Sequence, residues 1–250
     1  MLCAHPHNVP TVPATRKTSA AVEKSMLPEK TNELKAHIIQ YSSHIQHMLG
    51  KSIKGLINRD AGILREVIDN DEARANEIEL TIDEMCTNLI AQFQPMAKEL
   101  RTVLMIYNMN NSLERMGDHA VNISESALEV IKYPAIKPFI DIPRMSEIGT
   151  QMLEDAIQSF IDQDPLIARD VCRRDSIIDG LRDQVMRELI TYMSGNPAII
   201  SYCLHVLRIA ENLERIADLT TNICEDVIFI AQGRVVKHHL RNGESDTETK

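Results

Sequence analysis

Residues Asn111–Ile123 read NSLERMGDHAVNI, and residues Glu211–Ile223 read ENLERIADLTTNI. Leu113, Glu114, Arg115, Asp118, Asn122 and Ile123 return one hundred residues later as Leu213, Glu214, Arg215, Asp218, Asn222 and Ile223. Unrelated helices do not share a phrase at fixed spacing, so the chain reads as an internal duplication. The turns agree with this. LINRDAGILREV from Leu56 aligns with FIDQDPLIARDV from Phe160 at an offset of 104, which sets Asp71 against Asp175 and Glu79 against Asp183.

Each copy reads as three helices. Leu34, Ile38, Tyr41, Ile45, Met48 and Leu56 fall at helical spacing and predict a first helix ending near Ile57. A second helix is predicted over 61–92, stopped by Pro95, and a third from about Met96 to Ile131. KYPAIKPFIDIP carries three prolines and reads as a linker. The second copy repeats the plan, with helices reaching about Asp162, about Met193 and, from about Ala198, Gln232. The predicted fold class is all-α: two tandem three-helix bundles formed by an internal repeat. The expected layout is a disordered extension over 1–26, a first repeat over 27–132, a linker over 133–142, a second repeat over 143–237 and a flexible tail over 238–250. Met26 opens the periodic pattern and is expected as an alternative start.

Composition supports a helical core. The 250 residues are 44% apolar with 12 Met and no Trp, and aromatic residues make up only 4%. A net charge of −9 argues against nucleic acid as a partner, because phosphate backbones select an excess of Lys and Arg. Five cysteines, never spaced as CxxC, suit a reducing compartment, and no apolar run is long enough for a bilayer; a cytoplasmic location is expected. The Cys3, His5 and His7 group has no fourth partner nearby and is not expected to hold metal.

On a helical wheel Ile106, Met109, Leu113, Met116, Ala120, Ile123 and Ala127 make one stripe. Asn111, Glu114, Asp118, Asn122 and Glu125 fall roughly opposite; Glu211, Glu214, Asp218, Asn222 and Glu225 do the same in the second copy. A solvated face is the ordinary reading of such a stripe. Glu114 and Asp118, however, are like charges one turn apart with no basic i±3 or i±4 neighbour for Glu114, and so are Glu214 and Asp218. Each such pair costs about 0.2–0.5 kcal/mol. A cation offsets that cost, and oxygen-only ligands suit hard ions. Glu114, Asp118, Glu214 and Asp218 are therefore the candidate metal ligands, with Glu79, Asp71, Asp175 and Asp179 as further candidates from the neighbouring helices. No nucleophile–His–acid set and no phosphate loop is present, so no enzyme activity is expected.

LERMGDHAVNI and LERIADLTTNI, closing paired three-helix repeats, resemble the PhoU family over roughly Leu27 to Lys237. The resemblance implies that Glu114, Asp118, Glu214 and Asp218 help bind multinuclear clusters of iron, zinc, manganese or magnesium. The family commonly has an acid three residues before the motif glutamate. Glu211 fits and Asn111 does not, which implies a weaker first site. The resemblance also implies a cytoplasmic negative regulator of the phosphate-starvation response. Its implied partners are the sensor histidine kinase of the phosphate two-component system and the ATPase component of the phosphate ABC transporter, and its implied state is a homodimer. The first alternative is an accessory of another phosphate transporter without a kinase. The second, a ferritin-like di-iron enzyme or iron store, is disfavoured because no His has Glu three residues before it.

Overall fold

The computed structural model of the chain describes residues 15–232, with side chains from Met26 onward. The Cys3, His5 and His7 group and the tail from residue 238 lie outside the described residues. Seven α-helices follow one another: α1 (Thr15–Asn58), α2 (Ala61–Glu66), α3 (Glu72–Phe93), α4 (Lys98–Val130), α5 (Asp141–Asp162), α6 (Pro165–Gly195) and α7 (Ile200–Gln232). A π turn, Val67–Asp71, joins α2 to α3 so that the two run on as one rod, and a 3-10 turn, Pro197–Ile199, leads into α7. Six rods thus form two three-helix units, as the duplication requires. Among the described residues there is no strand, and no helix is long and apolar enough to cross a membrane.

The ends of the rods follow local chemistry, and the chemistry is duplicated. Asp60 and Asp164 cap α2 and α6 by accepting from backbone N–H groups two residues on, at 2.8 Å in both copies. The preceding residues, Arg59 and Gln163, both take a left-handed φ of 55°. The amides of Asp60 and Asp164 reach back to Gly55 and Ser159, which closes the helix ahead in a Schellman-type turn. One end differs from expectation. Residues 15–26 were expected to be loose, yet α1 starts at Thr15, running through Pro28. The three prolines that argue for disorder all precede Thr15, and Ala20, Ala21, Glu23 and Lys24 favour a helix. The linker is also less free than its prolines suggest. The Arg59 guanidinium donates to the carbonyls of Ile131 and Tyr133, and the Tyr133 ring stands edge-on to Tyr202 at 5.9 Å.

The cores are built on matching registers. Leu34, Ile38, Tyr41, Ile45, Met48 and Leu56 are all buried, and in α5 Ile142, Met145, Gly149, Met152 and Phe160 follow at the same offset of 104. Tyr41 of the first repeat therefore corresponds to Met145 of the second. Gly117 is buried, and a Cβ there would meet Ile45 Cδ1 at 3.3 Å; the second repeat has Ala217 at that position and Gly149 in place of Ile45, so the bulk changes sides.

The π turn corrects the alignment of the next rod. Leu64 and Val67 match Ala168 and Val171 at 104. After the turn the buried positions Ala75, Ile82 and Cys86 match Ile178, Val185 and Leu189 at 103. A π turn holds one residue more than the α-helix around it, so everything beyond it is delivered one position later. Asp71 therefore corresponds to Arg174 rather than Asp175, Glu72 to Asp175, and Glu79 to Arg182 rather than Asp183. A reversed ion pair supports this. Lys51 pairs with Asp71 at 2.9 Å, while Asp155, the register partner of Lys51, pairs with Arg174.

The two units are joined along α4 and α7. Asn108 donates to Asp226 at 3.4 Å and His119 meets Asn212 at 2.8 Å, which fixes the two helices antiparallel with the repeated motifs between those contacts. α1 also packs on α5.

Candidate functional site

Both copies of the motif lie on long helices that are buried on more than one side. α4 touches α1, α3 and α7, so Asn110, Gly117, Val121 and Ser124 are buried as well as the apolar stripe. This corrects the wheel. Glu114 and Glu214 do not point away from the protein but stand half-buried on the seams that α4 and α7 make with their neighbours; the Glu214 side chain is only 12% exposed.

On the first seam, Glu114 of α4 lies beside Glu79 of α3. Burial raises the Glu114 carboxyl above its ordinary range, Asp118 and Glu79 push it further, and Arg115 partly opposes them. Glu79 is raised by burial and by Asp83. One step along, burial raises Glu72, with Asp118 and Glu125 adding to it. Among the described residues none of Glu72, Glu79 and Glu114 makes an ion pair. Two buried polar atoms nearby have no protein partner. One is the Oη of Tyr41, whose phenol is raised by burial and then by Glu79, Glu114 and Asp118. The other is Oδ1 of Asn110, whose amide donates to the Glu79 carbonyl at 3.0 Å and to Asp83 at 2.9 Å.

The second seam is differently balanced. Glu214 is again raised by burial and by Asp218, but Arg215 and Arg182 pull it back, with Asp179 adding a smaller push upward. Arg182 Nη1 donates to Glu214 at 3.0 Å and Nη2 to Asp183 at 2.8 Å. Arg215 reaches Asp218 at 3.6 Å, on the same helix. Asp175 is buried at 8% exposure.

The predicted residues thus separate. Glu114 and Asp118 share a seam with Glu79, and Glu214 and Asp218 share one with Asp179. Asp71 is turned to Lys51 on the flank, and Glu211 and Asn111 are exposed, the Asn111 amide donating back to the Tyr107 carbonyl. Sequence reasoning missed Tyr41, Glu72 and Arg182. The first was assigned to the core, where it also belongs, and the other two were hidden by the one-residue slip. Of the histidines, His44 is tied to the Asp71 carbonyl and His119 to Asn212.

As cation ligands the two seams differ in fit. The first offers carboxylates raised by burial and by neighbouring acids, and a buried hydroxyl without a protein partner, oxygen donors of the kind a hard ion takes. The second already contains a guanidinium. Among the described residues no three His, Cys, Asp or Glu side chains converge closely enough to hold one ion, so ligation requires side-chain rotation. Between the seams, where α4 meets α7, Arg115, His119, Arg215, Asp218, Thr221 and Asn222 line a polar cleft of about 200 Å³.

Comparison with known proteins matches this arrangement. The family model of the PhoU domain matches twice, at residues 38–127 and 142–227. The chain belongs to the PhoU family. It is 36% identical over 214 residues to a "phosphate-specific transport system accessory protein PhoU homolog" of Aquifex aeolicus, covering 85% of this chain and 96% of that one. It is 34% identical over 212 residues to a second PhoU homolog of Thermotoga maritima, covering 85% and 90%. The fold is that of family members. The crystal structure of PhoU from Pseudomonas aeruginosa superposes with a TM-score of 0.79 at 26% identity, over 83% of this chain and 99% of that chain. PhoU from Streptococcus pneumoniae gives 0.77 at 25% identity, over 84% and 99%.

Proposed function

We propose that this chain is a non-catalytic accessory of a phosphate-specific transport system and a negative regulator of the phosphate-starvation response. On this reading it docks on the ATPase of the phosphate ABC transporter and on the sensor histidine kinase at the cytoplasmic side. When phosphate is plentiful, docking favours the inactive kinase by binding that state better than the active one. The observation that carries the reading is the pair of Glu-x-x-x-Asp seams on matched three-helix units, in a chain whose relatives are named as phosphate-transport accessory proteins. A homodimer belongs to the same reading, and sedimentation at low micromolar concentration tests it.

The acidic seams belong to this proposal as cation sites. Glu72, Glu79, Glu114 and Asp118 would hold a divalent ion in the first repeat; in the second, Asp175, Glu214 and Asp218 correspond to Glu72, Glu114 and Asp118, Arg182 stands at the place of Glu79, and Asp179 is a further acid of the seam. A bound ion would supply the positive charge that the like-charged helix neighbours lack.

An alkaline phosphatase reporter in phosphate-rich medium tests the regulatory reading. Deleting the gene is expected to switch the reporter on, and restoring the wild-type chain to switch it off. A reporter that stays off in the deletion strain rejects the kinase link and leaves an accessory of a phosphate transporter acting without a kinase.

A further inference from the structure

Cys172 of α6 and Cys224 of α7 stand against one another where these helices pack in the second repeat, the Cys224 S–H donating to the Cys172 sulfur. The register of the two helices agrees. They run antiparallel, and Arg182 meets Glu214 at 3.0 Å. Cys172 precedes Arg182 by ten residues and Cys224 follows Glu214 by ten, so both cysteines lie at one height, about 15 Å along the helices from that contact. Cys224 is fully buried and Cys172 only partly. One sulfur of the pair is therefore open to a solvent-borne reagent, and the other is reached only through it.

A buried cysteine is ordinarily a small apolar filler, and Cys86, set against the Val103 carbonyl, fits that role. The pair does not, because it replaces something else. At offsets of 104 and 100 the first repeat has Ile68 and Ser124 in these places, and Ser124 donates to Ser52 at 2.8 Å; the second repeat has Ala156 where Ser52 would stand. A hydroxyl pair between α1 and α4 has given way to a thiol pair between α6 and α7. The Cys172 thiol, then burial, hold the Cys224 thiol well above the ordinary cysteine range, and Arg174 opposes them. Cys224 alone is thus a poor nucleophile toward a reagent in solution.

We propose that Cys172 and Cys224 are an oxidative modification site: a hydroperoxide oxidises Cys172, Cys224 resolves it, and the disulfide staples α6 to α7. In the first step the Cys172 sulfur takes one oxygen of hydrogen peroxide; the O–O bond breaks, a sulfenic acid forms and one water leaves. In the second, the Cys224 sulfur displaces the sulfenic hydroxyl; the S–S bond forms, the S–O bond breaks, and the hydroxyl leaves with the thiol proton as a second water. The peroxide gains the two electrons that the two thiols lose. A thiol reductant reverses the staple by exchange. Disulfides of reducing compartments are of this transient, redox-sensing kind.

The test uses the full-length chain, both with its five cysteines and as C3S/C86A/C203A, which keeps only the pair. Each is treated with hydrogen peroxide, quenched, unfolded, alkylated and mapped by mass spectrometry without reduction. Expected is a Cys172–Cys224 linked peptide lighter by two hydrogens, with both thiols closed to alkylation and reopened by dithiothreitol. In the three-substitution background C224S should leave a sulfenic acid on Cys172 that dimedone traps, and C172S should leave Cys224 reduced. Circular dichroism checks that each variant is folded, and the map of the five-cysteine chain stands whether or not they are. The stapled chain should melt about 4–10 °C above the reduced one, a rise that neither single variant shows. Cys172 passing to sulfinic acid or linking two chains while Cys224 stays free overturns the proposal. So does a pair that peroxide leaves reduced in the folded chain.

Discussion

Glu79 and Arg182 occupy one register position in the two repeats, so removing their charges without metal should move stability in opposite directions. Arg182 donates to Glu214 at 3.0 Å and to Asp183 at 2.8 Å. Hydrogen bonds to charged groups contribute about 1.5–3 kcal/mol. The Arg182 side chain is 31% exposed, and solvent screening brings the expected loss for Arg182→Ala down to about 1–2 kcal/mol. Part of that loss is the Glu214–Asp218 repulsion left behind. Glu79→Gln instead removes a like charge from beside Glu114 and breaks no ion pair, so it should stabilise the metal-free chain by up to about 0.5 kcal/mol, in the range of like-charge neighbours. The assay is urea unfolding followed by helical ellipticity, in chelator and at low salt where the charges are least screened. For a chain of this length each kcal/mol is about 2–4 °C in Tm, so thermal melts should separate the variants. If Glu79→Gln destabilises as Arg182→Ala does, or Arg182→Ala is neutral, the charge argument is wrong.

Other outcomes follow from the same geometry. Burial, followed by neighbouring carboxylates, raises Glu72, Glu79 and Glu114, so their folded forms hold protons above the ordinary glutamate value of 4.5. Their contribution is fully present below that pH and is lost as pH rises through the raised values. Relative to a triple Gln variant, the metal-free wild type should therefore weaken between pH 5 and 7; urea midpoints at both values check this, and a constant gap refutes it. Gly55→Ala should destabilise by about 1–3 kcal/mol, because the new Cβ would stand 2.6 Å from Cδ2 of the buried Leu64; a Tm within 1 °C of wild type would contradict the contact. Cys86 is buried and its thiol is pushed up to about 12, so iodoacetamide at pH 8 should spare it until the chain is unfolded, as peptide mapping would reveal.

The helices were legible because their apolar spacing is regular and prolines and aspartate caps fall between them. The twin motif was legible because both copies kept their register on long helices without interruption. The partners of the motif were not, and the cause is local. The inserted residue falls in the polar run Asp69–Glu72, where no apolar side chain marks it, and the slip shows only in the later core positions Ala75, Ile82 and Cys86. Aligning at 104 straight through that stretch set Glu79 against Asp183 and hid Arg182. The seams themselves were misread because a wheel knows only one buried face, while α4 and α7 are each covered from several directions. The early start of α1 was missed because the prolines before Thr15 and the lack of an apolar period up to Met26 read as one loose segment.

The π turn at Val67–Asp71 also sets a rule for recombining the two halves. A chimera that grafts the middle rod of one repeat into the other keeps its packing only if the phase is reset at the junction. Cut before the turn, a graft from α6 must be spliced at one spacing; cut after it, at another. A single-residue deletion within the turn would return the rod to the unbroken α-helix of the second repeat, with the later side chains and Glu79 kept in their places.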